Sequence, residues 1–257
     1  MAKITLDALK ATGSWLLSQY QRIEDYFTSG SFGVRFYPFL MYPCVRHSVN
    51  GIVRLISILS VFIALYYFFA EFITILFSDI SLSAYTRHTV LELLQPAGTI
   101  IDGKEIHLSP LYFSMKVAFL LQGCLLFFIY CIGVTQITSR RFRLLGMLFS
   151  LLFSCGAMLI FNSQGGKYTV GGLQNTGASL TYLCGNLTMI ASGLGIIQPH
   201  LKKLKRYSLI AGSFGIIAIS ATLFIELPYL ALLERLSLYS LFVWEVAIGF
   251  AILNKGK

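Results

Sequence analysis

GGLQNTGASLTYLCGNLTMIASGLGIIQ, residues 171–198, is the stretch on which the reading of this chain turns. At about 100° per residue, Asn175, Ser179, Tyr182, Asn186 and Gly193 fall on one helical stripe, and that stripe is polar. Gly177, Thr181, Gly185, Thr188 and Ser192 fall roughly opposite, and small residues there let a second helix backbone come close. Leu180, Leu183, Leu187 and Leu194 fill the remaining sector. Amides facing lipid without partners would cost several kcal/mol, so the polar stripe is expected to face protein or an internal cavity.

Composition places such a helix in a membrane. Of 257 residues, 56% are hydrophobic and 12% charged, with a mean hydropathy of +0.73, which leaves too little polar surface for a soluble globule of this size. The net charge of +9 would suggest nucleic acid in a soluble chain. Here the basic residues stand at the ends of apolar runs, where they orient a chain in a bilayer, and nucleic-acid binding is not expected. Cys124, Cys131, Cys155 and Cys184 lie within apolar runs and Cys44 stands apart, with no CxxC spacing, so they are read as small core residues. No cofactor is implied.

Six apolar runs, at about 51–77, 110–137, 144–161, 171–198, 207–225 and 236–253, each suit a helix that crosses about 30 Å of hydrocarbon. The fold expected is all-α: a polytopic integral membrane domain of six transmembrane helices over residues 51–253, with a long outer connection at 78–109. Lys and Arg are dense in residues 1–50, in the second connection (Arg140, Arg141, Arg143), in the fourth (Lys202, Lys203, Lys205, Arg206) and at the C-terminus. They are sparse in the others: Arg87 and Lys104, then Lys167, then Arg235. By the positive-inside rule both termini are cytoplasmic, in what is read as a bacterial inner membrane.

Residues 1–50 read as an amphipathic, cytoplasmic or interfacial extension. Up to about residue 28, Leu6, Leu9, Leu16, Tyr20, Ile23 and Phe27 share a face of a helix too polar to span, which suits the headgroup region, a partner or the protein's own cytoplasmic side. It lacks a continuous apolar core followed by a cleavage site, so it is expected to be retained. Residues 29–50, with Gly, two prolines and many aromatics, suggest an irregular interfacial segment.

The outer connection 78–109 contains Asp79, His88, Glu92, Asp102, Glu105 and His107, and TVLELLQPAGTIIDGKEIHL predicts a short helix and then a Gly-containing turn. Two histidines and several carboxylates invite a metal reading, but the segment is read as a solvated lid and no metal is expected.

Counting about 1.5 Å of rise per residue from the ends of the runs brings Gln122, Asn186 and Glu245 near the midplane, and Glu71 and Lys116 into the outer third. Ionisable groups at such depth mark a functional site or a buried pair. One reading makes Gln122, Tyr182, Asn186 and Glu245, with Asn175 and Ser179 along the stripe, a ligand-binding pocket beneath a Glu71–Lys116 ion pair. The other has these groups only tie helices together through interhelical hydrogen bonds, with Gly177, Thr181, Gly185 and Ser192 as the packing face. Glu245, without a cation at its depth, is expected to be protonated or hydrogen-bonded to an amide. Glu234 and Arg235 read as part of an outer turn. Being adjacent, they do not face each other on a helix, and each should seek a separate partner, Lys167 or a carboxylate of the first outer connection.

FNSQGGKYTVGGLQNTGASLTYLCGNLTMIASG (Phe161–Gly193), with its Gly185-Asn186 pair, is followed after a further run by ERLSLY (Glu234–Tyr239) and Trp244. In these features the chain, over about residues 50–253, resembles the bacterial multi-span membrane proteins catalogued as domain-of-unknown-function family 998. The resemblance implies a six-helix integral membrane fold and supplies no activity. Glu245 directly after Trp244, the long outer connection and the first 50 residues depart from that pattern.

No HExxH, GxSxG, P-loop or strand-turn-helix GxGxxG is present, and the four histidines are divided between the two sides. Three functions remain. The first is a non-catalytic accessory or subunit-type protein that binds other membrane components: lipids, a membrane-protein partner or a second copy. The second is a carrier or receptor for a small or amphipathic molecule held in the midplane pocket. The third is a lipid-modifying enzyme, which needs outer carboxylates and a histidine around one cavity.

Overall fold

The computed structural model describes residues 2–28, 30–78, 84–95, 99–101, 104–106, 109–162, 172–224 and 230–254. It divides into two compact units, residues 1–53 and 54–257. Apart from one short hairpin, the described chain is helical.

The first unit holds α1 (Ala2–Thr28), α2 (Ser31–Met41) and the start of α3 (Pro43–Leu76). Residues 31–41 and 43–50 are therefore helical, where an irregular segment was expected. The break between α2 and α3 is confined to Tyr42, whose ψ of 132° is what the proline after it demands. Pro43 itself opens α3, where a missing N–H costs nothing. On α1, Trp15, Leu16, Ile23 and Tyr26 are exposed.

In the second unit, α3 is followed by α4 (Ala84–Arg87), α5 (Val90–Leu93) and a hairpin of β1 (Thr99–Ile101) and β2 (Lys104–Ile106). The strands are antiparallel, with Ile101 opposite Lys104 and Thr99 opposite Ile106. The short helix expected in the outer connection is α5. It starts on a capping box in which Thr89 accepts from the Glu92 N–H while the Glu92 carboxylate accepts from Thr89 N–H. The expected Gly-containing turn, with Asp102, lies outside the described residues, as do Asp79, His107 and Lys167.

The body of the unit is α6 (Tyr112–Ile132), α7 (Arg140–Asn162), α8 (Leu173–Gly195), α9 (Lys202–Phe224) and α10 (Leu230–Asn254). Among the described residues, four helices are long and apolar enough to cross a membrane: Pro43–Leu76, Tyr112–Gln136, Arg140–Asn162 and Ala231–Asn254. These give the chain the make-up of an integral membrane protein. The other two, α8 and α9, have 23 residues each, about 35 Å of helix at 1.5 Å per residue.

Helix α8 sits between α7 and α9, while α6 packs on α7 and α10 on α9. Its small stripe faces α7. A Cβ added to Gly177 would stand 2.7 Å from the Gly156 carbonyl oxygen, so this crossing requires glycine on both helices. Thr181 and Gly185 continue the contact, against Gly156 and Phe153, and Ser192 turns its hydroxyl back to the Thr188 carbonyl. The C-terminal end of α8 is tied to the loop before α7: Ser139 N–H donates to the Gly195 carbonyl at 2.7 Å, satisfying an end carbonyl the helix leaves open. Helix α3 meets α10 through rings, Tyr67 on Phe242 at 4.3 Å and Phe68 on Tyr239 at 4.9 Å between centroids. On the outside stand rows of exposed apolar side chains, such as Phe62, Leu65, Phe69 and Phe72 on α3 and Ile210, Phe214 and Ile217 on α9. Water would not tolerate a surface of this kind, and lipid does.

Candidate functional site

Helix α10 begins at Leu230, earlier than the expected run at 236, and this changes the place of two charged residues. Glu234 and Arg235 are not in a solvated outer turn. They lie in the first turns of α10 and both are buried. Adjacent on the helix, the two side chains point apart and take separate partners, though not the ones expected.

Arg235 Nε donates to Glu71 Oε1 on α3 at 2.8 Å, and Tyr239 donates its hydroxyl to Glu71 Oε2 at 2.6 Å. With both carboxylate oxygens taken, Glu71 does not form the expected ion pair with Lys116. Lys116 is on α6, its ammonium 6.0 Å from the centre of the Tyr112 ring. Position along a helix fixes a side chain's height but not which neighbour it faces. Arg235 also donates from Nη1 to the backbone carbonyls of His88 at 2.6 Å and Tyr85 at 3.0 Å, and lies 5.4 Å from the centre of the Tyr85 ring. Burial, and then the Glu71 charge, push the Tyr85 phenol above its ordinary range, against the opposing pull of Arg235. A guanidinium suits this position because its planar fork can serve a carboxylate and carbonyls at once.

Glu234 faces the other way. Its Oε1 accepts from the Tyr182 hydroxyl of α8, and its Oε2 accepts from the Val90 N–H at the start of α5 at 3.3 Å. Nearby, Gln174 Nε2 donates to the Leu91 carbonyl at 3.0 Å and Gln174 Oε1 accepts from Gln95. The segment from Tyr85 to Gln95 is thus held down on the bundle by α10 and α8. His88 Nδ1 and Glu92 Oε2 are 2.7 Å apart at its partly exposed edge.

Deeper, the predicted pocket residues divide into two separate contacts. Gln122 of α6 donates its amide to Glu245 of α10, the amide partner expected for that carboxyl, and Glu245 is fully buried. Asn186 donates to the Ser237 hydroxyl at 2.8 Å and to the Tyr182 carbonyl at 2.7 Å. Its side chain lies against Gly215 of α9, where an added Cβ would come within 1.8 Å of Asn186 Oδ1. Asn175 and Ser179, on the same stripe, are exposed in the first two turns of α8 and join neither contact. Among the described residues, the polar side chains of α10 that meet this stripe are Glu234 at Tyr182 and Ser237 at Asn186.

Among the described residues, Gln122 Oε1, Glu245 Oε1 and Asn186 Oδ1 are buried without a hydrogen-bond partner. No group of three or more His, Cys, Asp or Glu among them could hold a metal ion. Three grooves, of about 430, 360 and 690 Å³, lie along α9, two of them shared with α10, and none is lined by Gln122, Tyr182, Asn186 or Glu245.

Sequence reasoning missed Gln174, Ser237 and Gly215, each a routine residue in an apolar run. Gly212 and Gly215, spaced for one face of α9, were the available signal for a close neighbour there. Compared with protein-family models, curated proteins and solved structures, the chain matches none.

Proposed function

We propose that the chain is a six-span protein of the bacterial cytoplasmic membrane, with both ends in the cytosol, acting without catalysis as an accessory or subunit-type protein that binds other membrane components. One observation carries this reading: the ionisable and amide side chains in the middle of the bundle are joined in pairs from helix to helix. Glu71 with Arg235, Glu234 with Tyr182, Gln122 with Glu245 and Asn186 with Ser237 join helices, and none of them opens on a described groove. What the domain offers a partner is its outward apolar rows.

Helices α8 and α9 supply the two further crossings, each longer than the roughly 30 Å of hydrocarbon. The orientation is supported by Arg140, Arg141 and Arg143 before α7 and Lys202, Lys203, Lys205 and Arg206 at the start of α9, against the sparse basic residues of the connections on the other side. The resemblance of residues 161–193 and 234–244 to family 998 agrees with six helices and names no reaction. Close packing around Glu245 counts against a carrier with a midplane site.

The test is purification of the full chain in mild detergent, followed by mass spectrometry of what accompanies it. Membrane lipid or a membrane protein in fixed proportion is expected. A retained water-soluble metabolite, or turnover of added lipid, would overturn the proposal.

A further inference from the structure

The connection before α9 and the groove beside it form a surface that touches the buried network only at Tyr239, among the described residues. One groove is lined by His200, Lys203 and Tyr207 of the 199–207 segment and by Val243, Ala247 and Phe250 of α10. A second continues it along the same two helices through Tyr207, Ile210, Phe214, Leu236 and Val243. A third adjoins its basic end, lined by Lys202, Lys203 and Arg206 with His200 and Tyr207. Tyr207 belongs to all three, and its hydroxyl donates to the Ser240 carbonyl at 2.9 Å, bridging α9 and α10 at the floor. From His200 to Phe214 the trough is about 20 Å long, more than the half-thickness of a hydrocarbon core of about 30 Å.

The charges along this trough are one-sided. Lys202, Lys203 and Arg206 are exposed at one end, with His200 among them. Residues 196–225 contain no acid, and neither do residues 246–257, which include the end of α10. Toward the other end the lining is mostly apolar, with Tyr239 and Ser240 beside Leu236 and Val243, and the guanidinium of Arg235, next to Leu236 in the chain, is committed to Glu71. Three exposed cations beside an apolar channel match an amphiphile with an anionic head and a hydrocarbon tail. A protein helix would need apolar contacts at both ends, and a free anion would have no use for the trough.

We propose that the groove between α9 and α10 is a binding site for an anionic phospholipid. Lys202, Lys203 and Arg206 hold the phosphate-bearing headgroup, and one acyl chain lies along Tyr207, Val243 and Phe214. Basic pockets between membrane helices recognise such headgroups through charge and hydrogen bonding. The site deepens the function proposed above by naming one membrane component, and it rests on the reading of α9 as a membrane-spanning helix. The inward orientation places it in the cytoplasmic leaflet.

The experiment adds phosphatidylglycerol or phosphatidylcholine to the full chain in mild detergent and reads bound lipid by native mass spectrometry. Bound phosphatidylglycerol in excess of phosphatidylcholine is expected. The exposed triple variant K202Q/K203Q/R206Q should bind it on the order of a hundredfold more weakly, from three charges near an anionic head. Val243→Trp, which fills the trough and keeps every charge, should also displace it, and inorganic phosphate should not compete. Equal binding of the two lipids, unchanged binding in both variants, or competition by inorganic phosphate would overturn the site. So would a lipid-free dimer that Val243→Trp dissociates. Release of the chain from membranes by alkaline carbonate is the distinct result that would overturn the membrane-spanning reading beneath it.

Discussion

Arg235 and Glu71, separated by 164 positions in the chain, meet in the interior at 2.8 Å, each with a side chain 1% exposed. They join α10 to α3, and the same guanidinium holds the carbonyls of Tyr85 and His88, so one side chain ties together two helices and the connection that follows α3.

Breaking this pair from one side leaves a buried charge uncompensated. Arg235→Met or Glu71→Leu alone is expected to destabilise the protein by about 3–5 kcal/mol, whereas the double replacement should recover much of the loss. Thermal unfolding of the four proteins in detergent gives the coupling directly. Additive losses would show that the two side chains do not act as a pair.

Glu245 and Gln122 behave differently, because an amide can replace the carboxyl. Glu245→Gln keeps a polar partner for Gln122 and is expected to leave stability within about 1 kcal/mol, while Gln122→Leu strands a buried carboxyl at a cost of about 1–3 kcal/mol. If the two changes proved equally damaging in a detergent melting assay, Glu245 would need its charge, and the packing role assigned to it would be wrong.

At the α8–α9 contact there is no room for a side chain on residue 215. Gly215→Leu drives a branched group into the Asn186 amide, and a loss of about 1–3 kcal/mol is expected from overpacking. Gly13→Leu, where nothing lies within 4 Å, is the matched control and should be silent. The comparison is read by size-exclusion profile and melting temperature.

Orientation is open to chemical labelling. In a background with the native cysteines replaced by alanine, Lys203→Cys should react with an impermeant maleimide only after cells are broken, and Arg87→Cys should react in intact cells. The reverse pattern would invert the proposed topology.

Much of this architecture was legible in the sequence, and the reason is local. Helical periodicity depends on residues a few positions apart, so the polar and small stripes of residues 171–198 could be read directly, and Gly177 does lie on the α7 contact. Membrane character followed from apolar length. Glu245 meeting an amide followed from the absence of a cation at its depth.

Partnership was decided only when the helices packed. Rise per residue sets how deep Glu71 sits, yet the rotation of α3 about its axis turns it to Arg235 and not to Lys116. The start of α10 at Leu230 goes with buried partners for its first turns, donors for Glu234 and acceptors for Arg235, which no local pattern encodes. Likewise the polar stripe of α8 is one face in sequence but two environments in the fold, because α10 offers polar partners to Tyr182 and Asn186 and none to Asn175 and Ser179. Local spacing determined which residues share a helix face and their height along it; the azimuth of each helix, a property of the whole bundle, determined which groups touch.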